Sequence, residues 1–230
     1  MRKSVLIVSI ALGTCFVAIL LAGGIFLATN MSSLEYSEGY YLAQKGHYKE
    51  AIEKFTSVIS RDPHYVAAYS ARADIYAELG EKDKAIEDYS KAIEFDRPPN
   101  SEDYANRGDA YGEMKLYQQA IDDYTKAIQL DSKYARAYNN RAVIYDILKQ
   151  YKKAEEDASQ CVTLDPHMDE GWAKLGNART GLDLSDKALT AYNQAIKLAP
   201  DDERHYYNRS SYLIRNQLNH IIIALSLMKS

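Results

Sequence analysis

The sequence predicts an all-α fold: an α-solenoid of stacked helix-turn-helix repeats preceded by one transmembrane helix. Three observations carry that expectation. A nine-residue pattern recurs five times at a period of 34 or 35 residues, and a fixed period in this range marks stacked repeats. Within each copy the small and aromatic residues fall at i, i+4 and i+7, one face of a helix. Ahead of them, residues 5–28 form an apolar run that no charge interrupts.

The chain opens with Arg2 and Lys3 and then enters that run. As a helix it would be roughly 36 Å long, enough to cross a hydrocarbon core of about 30 Å. A signal peptide has a shorter apolar region followed by a small-x-small cleavage site. Ala22-Gly23-Gly24 offers such a site, so cleavage stays open beside the favoured uncleaved anchor over 1–30. Residues 30–41 carry Glu35 and Glu38 and no basic residue. The positive-inside rule therefore puts the N-terminus in the cytoplasm and the rest of the chain outside it.

The repeated blocks are AIEKFTSVI at 51, AIEDYSKAI at 85, AIDDYTKAI at 120, AEEDASQCV at 154 and ALTAYNQAI at 188. Upstream of each lies a second stripe at the same spacing, such as Tyr104, Gly108 and Tyr111. Each repeat is thus two amphipathic helices in which large residues alternate with Ala or Gly, so that a ring on one meets a gap on the other. Turns are expected at Lys45-Gly46 and Leu79-Gly80. Second helices should stop near Pro63, Pro98, Pro166 and Pro200, because proline cannot continue a helix.

Trp172, Leu175-Gly176, Ala188, Tyr192, Ala195 and Pro200 follow the order of the tetratricopeptide repeat, which the chain resembles over about 185 of its 230 residues. The resemblance implies a right-handed superhelix of five repeats over 32–202, namely 32–65, 66–99, 101–134, 135–168 and 169–202, with Asn100 as an inserted residue. A sixth partial repeat or capping helices occupy 203–230. Departures from the pattern are Lys115, Lys149 and Asp183 at turns where glycine is usual, Ala158 at a core aromatic position, and Arg179 in place of tyrosine. Looser packing is expected around repeats four and five. By register, the tail from about residue 215 is a second helix of repeat six. Its Ile221-Ile222-Ile223 run leaves no clean polar face; it either packs on repeat five or serves self-association through 217–230.

Composition and motifs argue against chemistry. The net charge is -4 with no basic run, so no nucleic-acid partner is expected. Cys15 and Cys161 have no zinc-type spacing, the five histidines form no ligand pair on one helix, and phosphate-binding or nucleophile motifs are lacking. The acidic pairs Glu87-Asp88, Asp122-Asp123 and Glu155-Glu156 fall on expected solvent faces, and most tyrosines on core positions. No cofactor, no metal and no enzymatic activity are expected.

What remains is binding of a protein or peptide. The resemblance implies a concave face lined by first helices, and the matching positions are Tyr40, Asp74, Glu78, Asn106, Asp109, Glu113, Arg136, Asn139, Asn140, Lys174, Asn177 and Arg204. Acidic residues come first along the chain and basic ones follow, so a charge-segregated groove is expected. The grip that related co-chaperones use on a C-terminal carboxylate does not fit: of its five positions only Asn106 and Arg136 match, and Asp74 would repel the ligand. The expectation is a membrane-anchored scaffold, in a bacterial inner membrane with its repeats in the periplasm. Alternatives are a cleaved soluble form and a regulatory subunit that positions an enzyme.

Overall fold

The computed structural model describes residues 31–227. The apolar run 5–28 lies outside them, and so does the expected anchor. Among the described residues no helix is long and apolar enough to cross a membrane. They form eleven helices and no strand. The chain divides into two compact units between Pro98 and Pro99, beside the inserted Asn100.

The first unit holds α1 (31–44), α2 (Tyr48–Arg61), α3 (Val66–Glu78) and α4 (Lys82–Phe95). The second holds α5 (Ser101–Glu113), α6 (Tyr117–Leu130), α7 (Ala135–Ile147), α8 (Tyr151–Leu164), α9 (Asp169–Gly181), α10 (Ser185–Leu198) and α11 (Glu203–Leu227). Odd-numbered helices open repeats and even-numbered helices close them.

All five turns inside repeats close in the same way. In the first, Gly46 N donates to Ala43 O and His47 N to Leu42 O, both at 2.9 Å. This paired closure needs a left-handed residue after the helix. Gly46 and Gly80 supply it at φ 77° and 75°, but Lys115, Lys149 and Asp183 hold the same conformation at 62°, 57° and 58°. A side chain is strained there, yet the turn keeps its geometry.

Small residues let rings seat against neighbouring backbone. A Cβ on Gly108 would stand 2.9 Å from Tyr124 Cε1, and one on Gly176 only 2.5 Å from Tyr192 Cε1. Phe55, Tyr89, Tyr124 and Tyr192 are accordingly buried core residues. Ala158, at the equivalent place in repeat four, is also fully buried. There Ala142, Val162, Leu175 and Ala191 form the cluster around it, with Trp172 packed alongside.

A rung of side chains joins the two helices of each repeat, sixteen residues apart. Arg72 forks onto Asp88, Arg107 onto Asp123 and Arg141 onto Asp157, each through bonds of 2.7 and 2.8 Å. The same place holds the charge-reversed pair Glu38–Lys54 in repeat one and Leu175 with Ala191 in repeat five. Asp88 and Asp123 are therefore buried ion-pair members, not the solvated residues expected of the acidic pairs. Glu155 is likewise engaged, by Arg179 at 3.2 Å. Periodicity placed these carboxylates on the outer face, but the facing helix covers it.

α11 departs from the expected register. It runs as one helix of 25 residues, where a turn was expected to start a second helix. Gln217, a good helix former, stands where the other repeats place their left-handed turn residue. The Ile221–Ile223 side chains, on which the self-association reading rests, lie outside the described residues.

Candidate partner-binding face

The expected groove residues fall on α1, α3, α5, α7, α9 and α11, and each unit is considered by itself. In the second unit, five of them meet in one network. Asp109 accepts the Tyr124 hydroxyl at 2.6 Å and Asn140 Nδ2 at 2.7 Å, and it also takes the Arg136 guanidinium. Arg136 donates in addition to Asn106 Oδ1 at 2.7 Å. Asn139 Nδ2 reaches Asn140 Oδ1 at 3.1 Å. Asn139 is buried, so it supports the face rather than standing on it, and its own Oδ1 has no partner.

Electrostatics follow from that closure. Burial works against the Arg136 charge, but Asp109 outweighs it, and the guanidinium pKa is raised. Burial raises the Tyr124 pKa strongly, and Asp109 adds to it, so Tyr124 stays a neutral donor.

The rest of the second unit is mixed. Asn177 accepts from Tyr192 at 2.9 Å. Lys174 is half-buried and acts electrostatically on Asp146, whose carboxyl is raised by burial and lowered by that ammonium, with burial prevailing. Arg204 is held by Asp202 at 2.6 Å and by Glu170 at 3.3 Å. Glu113 is exposed. The charge segregation expected of this face is therefore replaced by interleaving: Arg136 and Arg204 are neutralised by carboxylates beside them.

At the start of α11, His205 Nε2 lies 2.6 Å from Asp169 Oδ2 and 3.8 Å from Asp202 Oδ2. These three side chains are close enough to share a cation. Their direct hydrogen bond and the Arg204 clasp on Asp202 make them instead a clip that fastens α11 to α9. No spacing rule on one helix finds such a group, because Asp169 stands on α9, Asp202 just before α11 and His205 on α11.

In the first unit, Tyr40, Asp74 and Glu78 line a single pocket of about 350 Å³. Tyr40 and Glu78 are exposed, and Asp74 accepts the Tyr89 hydroxyl at 2.6 Å. Sequence reasoning found the helix face but missed the tyrosine bonds and the arginine rungs. A signal was present: Arg and Asp stand sixteen apart in three successive repeats.

Stacked helix pairs joined by identical turns define a helical-repeat fold. The chain belongs to the tetratricopeptide repeat family: models of that repeat match residues 36–102, 101–134, 135–168 and 169–202, more than half of the sequence. No curated protein sequence matches it. Among solved structures, MamA protein is 25% identical, with a TM-score of 0.67 over 76% of this chain and 96% of its own. A tetratricopeptide repeat protein from Parabacteroides merdae ATCC 43184 is 19% identical, with a TM-score of 0.72 over 85% of this chain and 77% of its own. YrrB, described as a TPR protein with an unusual peptide-binding site, is 15% identical, with a TM-score of 0.65 over 76% of this chain and 90% of its own. The last two likenesses show the fold alone.

Proposed function

We propose that the protein is a scaffold that holds a polypeptide partner on its first-helix face and catalyses no reaction, anchored in a membrane by residues 5–28 with its repeats outside the cytoplasm. One observation carries the binding half: the first helices present fixed polar groups, braced from behind by core tyrosines, beside an open pocket. A surface made rigid in this way loses little entropy when a partner docks. The described peptide-binding site of YrrB, which shares this fold, supports the same reading. The anchor rests on the length of the apolar run and on Arg2 and Lys3 before it.

Cross-linking recovery from native membranes tests the binding half. The full chain should recover a defined polypeptide. Glu113→Lys with Tyr207→Ala, the tyrosine standing on α11 in a pocket shared with Lys174 and Arg204 and both positions exposed, should lower recovery at least tenfold without changing the melting temperature. Unchanged recovery rejects the face. N-terminal sequencing tests the anchor: a mature chain beginning near Ile25 replaces it with an exported soluble form, which Ala22-Gly23-Gly24 would permit.

A further inference from the structure

Repeat one breaks a pattern that three other repeats keep. In repeats two, three and five, a core tyrosine reaches back fifteen residues to a polar side chain on the first helix: Tyr89 to Asp74, Tyr124 to Asp109, Tyr192 to Asn177. In repeat one the pair is Phe55 and Tyr40. Phe55 has no hydroxyl to donate. Tyr40 turns its ring outward, 51% exposed and stacked on Tyr36 with centroids 6.4 Å apart. The closing hydrogen bond is absent, and the pocket of about 350 Å³ lies at this place.

Its chemistry is of two kinds. Phe55, Ile75 and Ala71 give an apolar floor, and Tyr40 gives an aromatic wall. The charged residues on its lining are Asp74 and Glu78, both acidic and both exposed. They stand four residues apart on α3, one above the other on the same side of the helix. A carboxylate or phosphate would be repelled here. A purely apolar occupant would strip water from two carboxylates and return nothing to them. A cation on a long aliphatic stem satisfies both parts: the stem covers the floor, and the head meets the acids and the tyrosine ring.

We propose that this pocket receives a basic side chain, lysine or arginine, presented by the bound polypeptide. The assignment rests on the scaffold reading for its source and on the pocket alone for its chemistry. The full chain in detergent micelles is titrated with capped arginine, capped lysine, capped citrulline and capped norleucine, and binding is read by saturation-transfer NMR. At least one basic ligand should bind with a Kd on the order of millimolar, and the two neutral ligands at least tenfold more weakly. Comparing the basic pair identifies the source. Glu78→Gln combined with Tyr40→Ala should weaken the basic ligand at least tenfold at an unchanged melting temperature. Neutral ligands that bind as well as basic ones overturn the proposal, and so does a double variant that binds as the parent does. The two readings fail separately: unchanged partner recovery in the Glu113→Lys, Tyr207→Ala chain rejects the second-unit face, whereas this titration uses no partner and its double variant reads only the first.

Discussion

Repeats one and three are built on the same frame and finish it differently. In repeat three, Tyr124 donates to Asp109, and Arg136 and Asn140 complete the shell around that carboxylate. In repeat one, Phe55 and Tyr40 occupy the matching places, and the space between the helices is an open pocket. Equivalent positions on one helix face therefore do unlike work. Asp109 is consumed by the fold, whereas Tyr40 faces solvent at the rim of a cavity. What decides between them is a single hydroxyl on the helix behind.

The largest effect that sharpens this contrast lies in the rungs. Asp123→Ala leaves the half-buried Arg107 without its fork, and stripping one partner from a buried pair costs about 3–5 kcal/mol. Urea melts should show that loss. The repeat-one rung, Glu38–Lys54, is exposed, and Glu38→Ala should leave the melt unchanged within error. Next comes the tyrosine shell. Asp109→Ala orphans the Tyr124 hydroxyl and one bond of Arg136, a cost of about 2–3 kcal/mol, while Tyr40→Ala, at the matching exposed place in repeat one, should stay within about 0.5 kcal/mol. Equal losses at Asp109 and Tyr40 would erase the distinction between closed and open repeats.

The part of this arrangement that sequence reveals is the part that repeats locally. Helix period, small-to-large alternation and the five copies of one pattern place every helix from α1 to α10. The rungs and tyrosine bonds escape that reading because their partners stand sixteen and fifteen residues apart, across a turn. A helical wheel drawn for one helix shows Asp88 and Asp123 as outward, since it does not know what packs over them. The uninterrupted α11 escapes for a different reason. Register counted from earlier repeats demands a turn at Gln217, but a turn needs a residue able to take it, and glutamine prefers to continue the helix. Of the candidate face, repeat register put the residues on first helices; it could not tell that Asn139 would be buried or that Arg136 and Arg204 would be neutralised.

A smaller effect separates the two glycine turns from the three that lack glycine. Gly46 and Gly80 take left-handed φ freely, whereas Lys115, Lys149 and Asp183 are held there at a strain of about 1 kcal/mol each. Lys149→Gly should raise stability by about 0.5 kcal/mol, since glycine also gains entropy when unfolded and part of the relief is cancelled. Gly80→Ala should lower it by about 1 kcal/mol. A methyl group on Gly80 would meet nothing within 4 Å, so any loss reports backbone conformation and not a clash. Opposite signs at two turns with the same hydrogen bonds would isolate that conformational strain.

The finest contrast is between two carboxylates of the second unit that titrate in opposite directions. Asp202 is drawn down to about 2, chiefly by its hydrogen bonds from Arg204. Its contribution is present above the unfolded value of about 3.9 and is lost as pH falls through about 2. Asp146 is displaced the other way, raised by burial that the charge of Lys174 only partly offsets. The folded chain then holds a proton on Asp146 more readily than the unfolded chain does. Its ionised form is a penalty at neutral pH that disappears as pH falls below the raised value and reaches the unfolded one. Asp202→Asn should therefore melt lower than the parent at neutral pH and converge with it between about pH 4 and about pH 2. Asp146→Asn should melt higher at neutral pH and converge from the opposite side near about pH 4. Melting temperatures of the three chains along one pH series decide it: curves displaced in the same direction would mean that burial at α7 is too slight to outweigh Lys174.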